Sequence, residues 1–215
     1  MIKKCVFLSA GHGGVDPSTN RYTTAPSKMF KHKNGQPYHD GAGTFYEGVK
    51  NRKYADRVAA LLTAKGVNVV KLYHPWLDTP LNTRTELANW YHKNVQQGIY
   101  FSEHSNATES HTARGYSVWT SPGQTASDGL ATDLMDRYDA VFGEVSEFRR
   151  LKDTSDGDPD YEARFSELVN TAMPAILSET LFFDHPNDAN VLMSDSYFNV
   201  YTLMIAEWLY YSVQR

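Results

Sequence analysis

A short apolar run that empties into a glycine-flanked histidine constrains this chain more than any other stretch: Lys3 to Gly14 reads KKCVFLSAGHGG. Cys5, Val6, Phe7 and Leu8 follow one another without polar alternation, the pattern of a strand buried on both faces, as in a parallel sheet. The glycines beyond remove side-chain bulk where the strand ends, so backbone and ligand can come close to His12. Open parallel sheets bind ligands outside the carboxyl ends of their strands. A histidine delivered there is a candidate ligand or catalyst.

The rest of the chain alternates strands and helices as such a sheet requires. Glu47 opens a helix with apolar positions at Tyr54, Val58, Leu61 and Leu62, and Gly66 is placed to end it. Val67 to Tyr73 reads as the next strand, reached by a crossover expected to be right-handed. Leu81 to Asn94 is a second helix. Gly98 to Ser102 is a buried strand that ends in Glu103-His104-Ser105-Asn106, and Arg114 to Ser121 is a strand nearer an edge. Ser127 is positioned to cap a helix through Phe142. Ser146 to Tyr161 reads as a solvated, aspartate-rich loop, Phe165 to Val169 as a short strand, Ala175 to Thr180 as the last clear strand and Tyr197 to Tyr211 as a closing helix. The polar stretch from Val15 to Tyr46 keeps neither period and is expected to be a long excursion, a kind of loop that is usually functional or mobile. The fold expected is a three-layer α/β/α sandwich around a mostly parallel sheet, with residues 1–215 as a single domain.

The chain has 215 residues, enough for one full core. Its formal net charge of -4 gives no support for nucleic-acid binding, which needs a clustered basic surface. With one cysteine, Cys5, there is no disulfide framework and no cysteine-rich zinc site. No stretch approaches the ~20 apolar residues of a membrane span, so no membrane insertion is expected. The apolar run after Met1-Ile2-Lys3-Lys4 is too short for a signal peptide, and synthesis in the cytoplasm is expected.

Three expected strands end in ionisable residues, at His12, His104 and Glu179, and Glu47 opens the first helix. Carboxyl ends of parallel strands and amino ends of the helices that follow share one rim, so these four residues can converge. Two histidines and one carboxylate are a common ligand set for catalytic zinc. The ion makes water acidic near neutral pH and polarises a carbonyl, and a separate carboxylate, here Glu179, is then needed to carry the proton to a leaving amine. Structural roles are open to the same residues. His12 can cap a turn, His104 can hold a loop, Glu47 suits a helix amino terminus, and Glu179 can pair with a lysine or arginine. His32, His39 and Asp40 are rival ligands expected to face solvent or substrate. His74, His92, His111 and His185 lack strand-end placement and are expected to be structural or superficial.

Six blocks, in order, resemble the type three family of zinc-dependent N-acetylmuramoyl-L-alanine amidases, which includes phage endolysins and bacterial autolysins. They are Phe7 to Pro17 (FLSAGHGGVDP), Tyr46 to Ala55 (YEGVKNRKYA), Leu81 to Asn89 (LNTRTELAN), Phe101 to Ala107 (FSEHSNA), Arg114 to Trp119 (RGYSVW) and Met173 to Asp188 (MPAILSETLFFDHPND). The resemblance implies a zinc ion held by His12, Glu47 and His104, with Glu179 as the catalytic glutamate. It also implies cleavage of the amide between N-acetylmuramic acid and the L-alanine of the peptidoglycan stem. Asn106 is a candidate to orient His104 or contact substrate, and Arg84 is read as a structural or rim residue. The chain departs from the family in two places. Glu103 stands where an apolar residue is usual and, if buried, requires a partner. The segment between His12 and Glu47 is long, and its Tyr22, Phe30, Tyr38 and Phe45 either stack on substrate or pin the loop to the body.

The function this implies is wall degradation for host or mother-cell lysis, with access to peptidoglycan through a holin or a lysis event and no separate wall-binding domain. The alternatives are a zinc peptidase cutting within the stem and a wall-binding module that has lost catalysis.

Overall fold

Burial of six consecutive residues, Cys5–Ala10, makes β1 and fixes its place inside the sheet. In this computed structural model, which describes residues 4–145 and 148–215, β1 lies between two parallel neighbours: β4 (Val69–Lys71) at one edge and β5 (Gly98–Asn106). β5 pairs in turn with the parallel strand β8 (Ala175–Phe182). Beyond it come β6 (Ser117–Thr120), antiparallel to β8, and the two-residue edge strand β7 (Tyr161–Glu162). The result is the expected α/β fold on a mostly parallel sheet, with six strands in the order β4-β1-β5-β8-β6-β7.

Strand alternation sorts side chains to two faces. Val6, Leu8, Ile99, Phe101 and Ile176 point to one face, into a core shared with α1 (Glu47–Ala64), α3 (Asp128–Phe142) and α6 (Asp195–Ser212) through Tyr54, Leu134 and Trp208. Cys5, Phe7, Tyr100 and Leu177 point to the other, against Ala88 of α2 (Leu81–Asn94) and Leu168 of α4 (Ser166–Val169). A further helix, α5 (Pro186–Met193), follows β8. α1 closes as its sequence predicts: Gly66 is left-handed at φ 78°, and its N–H and that of Val67 return to the carbonyls of Thr63 and Leu62.

The structure corrects three local expectations. Phe165 to Val169 is not a strand; Ser166–Val169 forms a single helical turn that turns Glu167 and Leu168 inward and leaves Phe165 and Val169 exposed. A run that short has no period to separate the two forms. Ser127 does not cap α3 with its side chain; its Oγ accepts the Ala175 N–H, while the Asp128 carboxylate takes the Thr125 N–H. The excursion is also partly ordered into strands, β2 (Met29–Lys31) pairing antiparallel with β3 (Thr44–Tyr46). Met1 to Lys3, and Ser146 and Glu147 at the head of the aspartate-rich loop, lie outside the described residues.

Glu103 is buried, and it has the partner its burial demands. Lys50 of α1 lies 2.8 Å from its Oε1, and the hydroxyls of Thr180 and Tyr201 donate to it at 2.7 and 3.0 Å. Removing one member of a buried pair strands the other charge, at about 3–5 kcal/mol. Lys50→Met is therefore expected to lower unfolding free energy by about that much, and Lys50→Met with Glu103→Met to regain most of it. Urea denaturation of the single and double variants checks this; a single variant as stable as the parent contradicts it.

Candidate metal centre

Two glycines shape the site before any ligand does. After β1 the chain enters a turn in which His12 is left-handed at φ 65°, a conformation that costs a non-glycine residue about 1 kcal/mol or more. A Cβ on Gly48, the second residue of α1, would overlap the carbonyl of Gly13. Without one, the helix seats directly on the turn and Glu47 faces His12, with Nε2 and Oε2 3.3 Å apart. A Cβ on Gly11 would occupy the space filled by the His104 ring. The sheet register supplies the remaining two residues. His104 of β5 is the direct partner of Glu179 of β8, so both project on the same face. His104 Nδ1 lies 3.3 Å from Glu47 Oε1.

The donor atoms of His12, Glu47 and His104 all lie within 4.8 Å of one another. Zinc bonds of about 2.0–2.2 Å in tetrahedral geometry place neighbouring ligand atoms roughly 3.3–3.5 Å apart; each imidazole comes to 3.3 Å from the Glu47 carboxylate, His12 from Oε2 and His104 from Oε1, close enough for the three residues to gather around one ion. His12 Nε2 and Glu47 Oε2 are buried without any hydrogen-bond partner, as is Glu179 Oε2. Orphaned buried polar atoms are costly, and a cation among them removes that cost. The donor chemistry and the spacing both suit zinc.

The local charges lean the same way. Burial lowers the His12 pKa against the pull of Glu47. Burial opposes charge on Glu47 too, but the flanking imidazoles hold its carboxyl well below the usual range. For His104, burial is outweighed by Glu167 and Glu47 on either side, and its pKa is pushed up to about 10. Burial, with the Glu47 charge adding to it, raises Glu179 to about 7 despite nearby His104 and lysines. Three buried carboxyl groups around two imidazoles make a place that favours added positive charge.

The other candidates are placed differently. His32 is buried, its Nε2 2.9 Å from the Phe183 carbonyl, and His39 Nδ1 accepts the Tyr46 N–H. Exposed Asp40 accepts the N–H groups of Ala42 and Thr44. All three rival ligands thus brace the excursion. His74, His92 and His185 accept backbone N–H groups, and His111 sits 2.8 Å from Asp184. Asn106 turns its Oδ1 to the Ala107 N–H. Arg84 is buried beneath the turn, donating to the carbonyls of Ala10 and Thr79. The excursion's aromatic rings are engaged by protein: Tyr22 stacks on Tyr46, Phe45 on Phe183, and Tyr38 bonds Asn34 and Asn190.

Two residues emerge only in three dimensions. Lys28, on a helical turn of the excursion, brings its Nζ to 3.8 Å from Glu47 Oε2. Glu167 of α4 reaches to 3.4 Å from His104 Nε2. A charged residue among Phe165, Leu168 and Val169 is the one sequence signal for Glu167; for Lys28 there is none. Both line, with His12, His104, Glu179, Leu81, Phe165 and Leu177, a cleft of about 250 Å³. A larger hollow of about 460 Å³ lies behind the excursion, but the Arg52 guanidinium on its wall is committed to the carbonyls of His74, Gly48 and Leu77.

Comparison with known proteins identifies the family and the fold. The profile of a family described as N-acetylmuramoyl-L-alanine amidase matches residues 6–209. An endolysin of Bacillus phage SPP1 is 26% identical over 208 residues, covering 92% of this chain and 62% of the phage protein. Among solved structures, the N-acetylmuramoyl-L-alanine amidase AmiC2 of Nostoc punctiforme superposes with a TM-score of 0.73 at 22% identity, covering 99% of this chain and 98% of the other. The catalytic domain of CwlV from Bacillus (Paenibacillus) polymyxa var. colistinus gives 0.72 at 20%, covering 99% of both chains. At such identities the superpositions establish the fold.

Gly48→Ala tests how the site is assembled. The methyl group meets backbone rather than a flexible side chain, so overpacking of about 2–3 kcal/mol is expected. Gly129→Ala, where a Cβ meets nothing, is expected to be neutral or slightly stabilising. Thermal unfolding of both variants checks the contrast, and equal midpoints contradict it.

Proposed function

The chain belongs to the N-acetylmuramoyl-L-alanine amidase family, and from that premise we propose that it is a zinc-dependent peptidoglycan hydrolase cutting the amide between N-acetylmuramic acid and the L-alanine of the stem peptide. One observation carries the proposal: donor atoms of His12, Glu47 and His104 gather within 4.8 Å of one another, with no hydrogen bond to His12 Nε2 or Glu47 Oε2, beside the Glu179 carboxyl, whose Oε2 is likewise buried without one. In this reading His12, Glu47 and His104 hold the zinc. The ion supplies a Lewis acid that polarises the scissile carbonyl and makes water nucleophilic near neutral pH.

Glu179 supplies the proton transfers. As a carboxylate it takes a proton from the attacking water; once protonated it delivers that proton to the alanine nitrogen as the C–N bond breaks. A group serving as base and then acid works best with a pKa near the working pH, and burial raises Glu179 toward that range from the usual carboxylate value. Leu81, Phe165 and Leu177 give the cleft apolar walls. Asn106, at the carboxyl end of β5, is proposed as a substrate contact.

The biological reading is lysis: the protein is made in the cytoplasm and acts on the wall after release through a holin or a lysis event, with residues 1–215 as one catalytic domain. The similarity to an endolysin supports this. The chain spans about 62% of the length of that relative. Among the described residues no helix is long and apolar enough to cross a membrane.

Digestion of purified peptidoglycan, read by mass spectrometry, is expected to release intact stem peptides beginning with L-alanine. Cuts within the stem would establish a peptidase instead. Glu179→Gln is expected to reduce turnover by roughly 10²–10⁴-fold while keeping its zinc, and a chelator to abolish activity that added zinc restores. Full turnover in Glu179→Gln refutes the proton-transfer role, and full turnover in metal-free protein refutes the zinc.

A further inference from the structure

Glu167 takes no part in the reaction above, yet its carboxylate is densely engaged. It is 3% exposed, on the short helix α4. Oε1 accepts from the Ser9 hydroxyl at 2.5 Å, the Tyr100 hydroxyl at 2.6 Å and the Ser102 hydroxyl at 3.3 Å, and lies 3.5 Å from Arg84 Nη1. Oε2 shares the Ser102 hydroxyl at 3.3 Å and otherwise faces His104 Nε2 at 3.4 Å. One oxygen is thus tied to β1, β5 and α2, and the other is aimed at an imidazole.

That imidazole is held on its other sides as well. Gly11 packs where a Cβ would overlap the ring, and Nδ1 faces Glu47. A neutral imidazole carries its proton on one nitrogen, and the hydrogen bond made there decides which nitrogen is left to ligate. A carboxylate that accepts the N–H also fixes the ring's orientation and raises its basicity. We propose that Glu167 is a positioning residue that holds the proton of His104 on Nε2 and leaves Nδ1, beside Glu47, as the metal-ligating atom. The inference rests on the zinc reading above, and α4 gains a role from it: the turn carries the orienting acid to the site.

The test compares zinc affinity, by chelator competition, among the parent protein, Glu167→Ala and Glu167→Gln. Glu167→Ala is expected to bind zinc about 10–100-fold more weakly. Glu167→Gln, whose carboxamide oxygen still accepts the Nε2–H, is expected to lose less. Circular dichroism and thermal midpoints separate these effects from misfolding, because a purely structural Glu167 would lower the midpoint and leave the affinity of the folded protein unchanged. Folded variants with parental affinity overturn the proposal. Should neither variant fold, nitrogen-15 NMR of the zinc-loaded parent decides: a proton on Nε2 of His104 supports the proposal, and a metal on Nε2 overturns it. A parent protein that takes up no zinc sinks the zinc reading itself, an outcome distinct from zinc-binding variants that match their parent.

Discussion

The first turn of α1 rests on the glycine turn that ends β1, and the site depends on that contact. The seating of Gly48 on the Gly13 carbonyl sets the distance between His12 and Glu47, two residues on separate elements. Nothing on the far side of the helix can substitute for it, because the approach is backbone against backbone. The left-handed His12 belongs to the same arrangement: an extended residue there would carry the chain past the helix. A modest conformational cost thus fixes the direction of a side chain whose ring must meet a buried carboxylate.

β5 imposes the second constraint, since it carries adjacent ionisable residues to opposite faces. Glu103 enters the face covered by α1 and α6, where Lys50, Thr180 and Tyr201 satisfy it. His104 enters the face covered by α2 and α4, between Glu47 and Glu167. The two environments are joined, because Lys50 Nζ also donates to the His104 carbonyl at 2.9 Å. One lysine therefore compensates the acid on one face and holds the backbone that positions the imidazole on the other. Burying so much charge contributes little to net stability.

Much of this was legible in the sequence because strand ends are. An apolar run without alternation declares a buried parallel strand, and the carboxyl ends of such strands share a rim with the amino ends of the helices that follow; the convergence of His12, Glu47, His104 and Glu179 follows from that rule. Glu167 and Lys28 lie outside its reach. Glu167 stands in the pentad Phe165 to Val169, where a strand and a helical turn present the same apolar content, and only docking against α2 and β5 turns the carboxylate inward. Lys28 reaches the site from a polar segment whose path is set by tertiary contacts. His32 shows the converse: a histidine in a polar stretch looks available, yet its burial depends on Phe183, far away in sequence.

The excursion that the sequence left without a role is built into the turn it leaves. Thr24 Oγ1 accepts the Gly13 N–H, the Thr23 N–H donates to the Gly14 carbonyl at 3.0 Å, and the Gly14 N–H donates to the Trp76 carbonyl at 2.7 Å. Tyr22 accepts the Gly48 N–H, one of the unpaired donors at the start of α1, and donates to the Lys28 carbonyl, both at 3.0 Å. These bonds close around the left-handed His12 from outside, while Gly48 closes on it from within. A glycine turn free of such bracing samples many conformations and loses more entropy on ordering than any other sequence. By returning threonine and tyrosine side chains to that turn, the excursion braces the backbone that carries His12, and Lys28 is carried to the cleft by the same path.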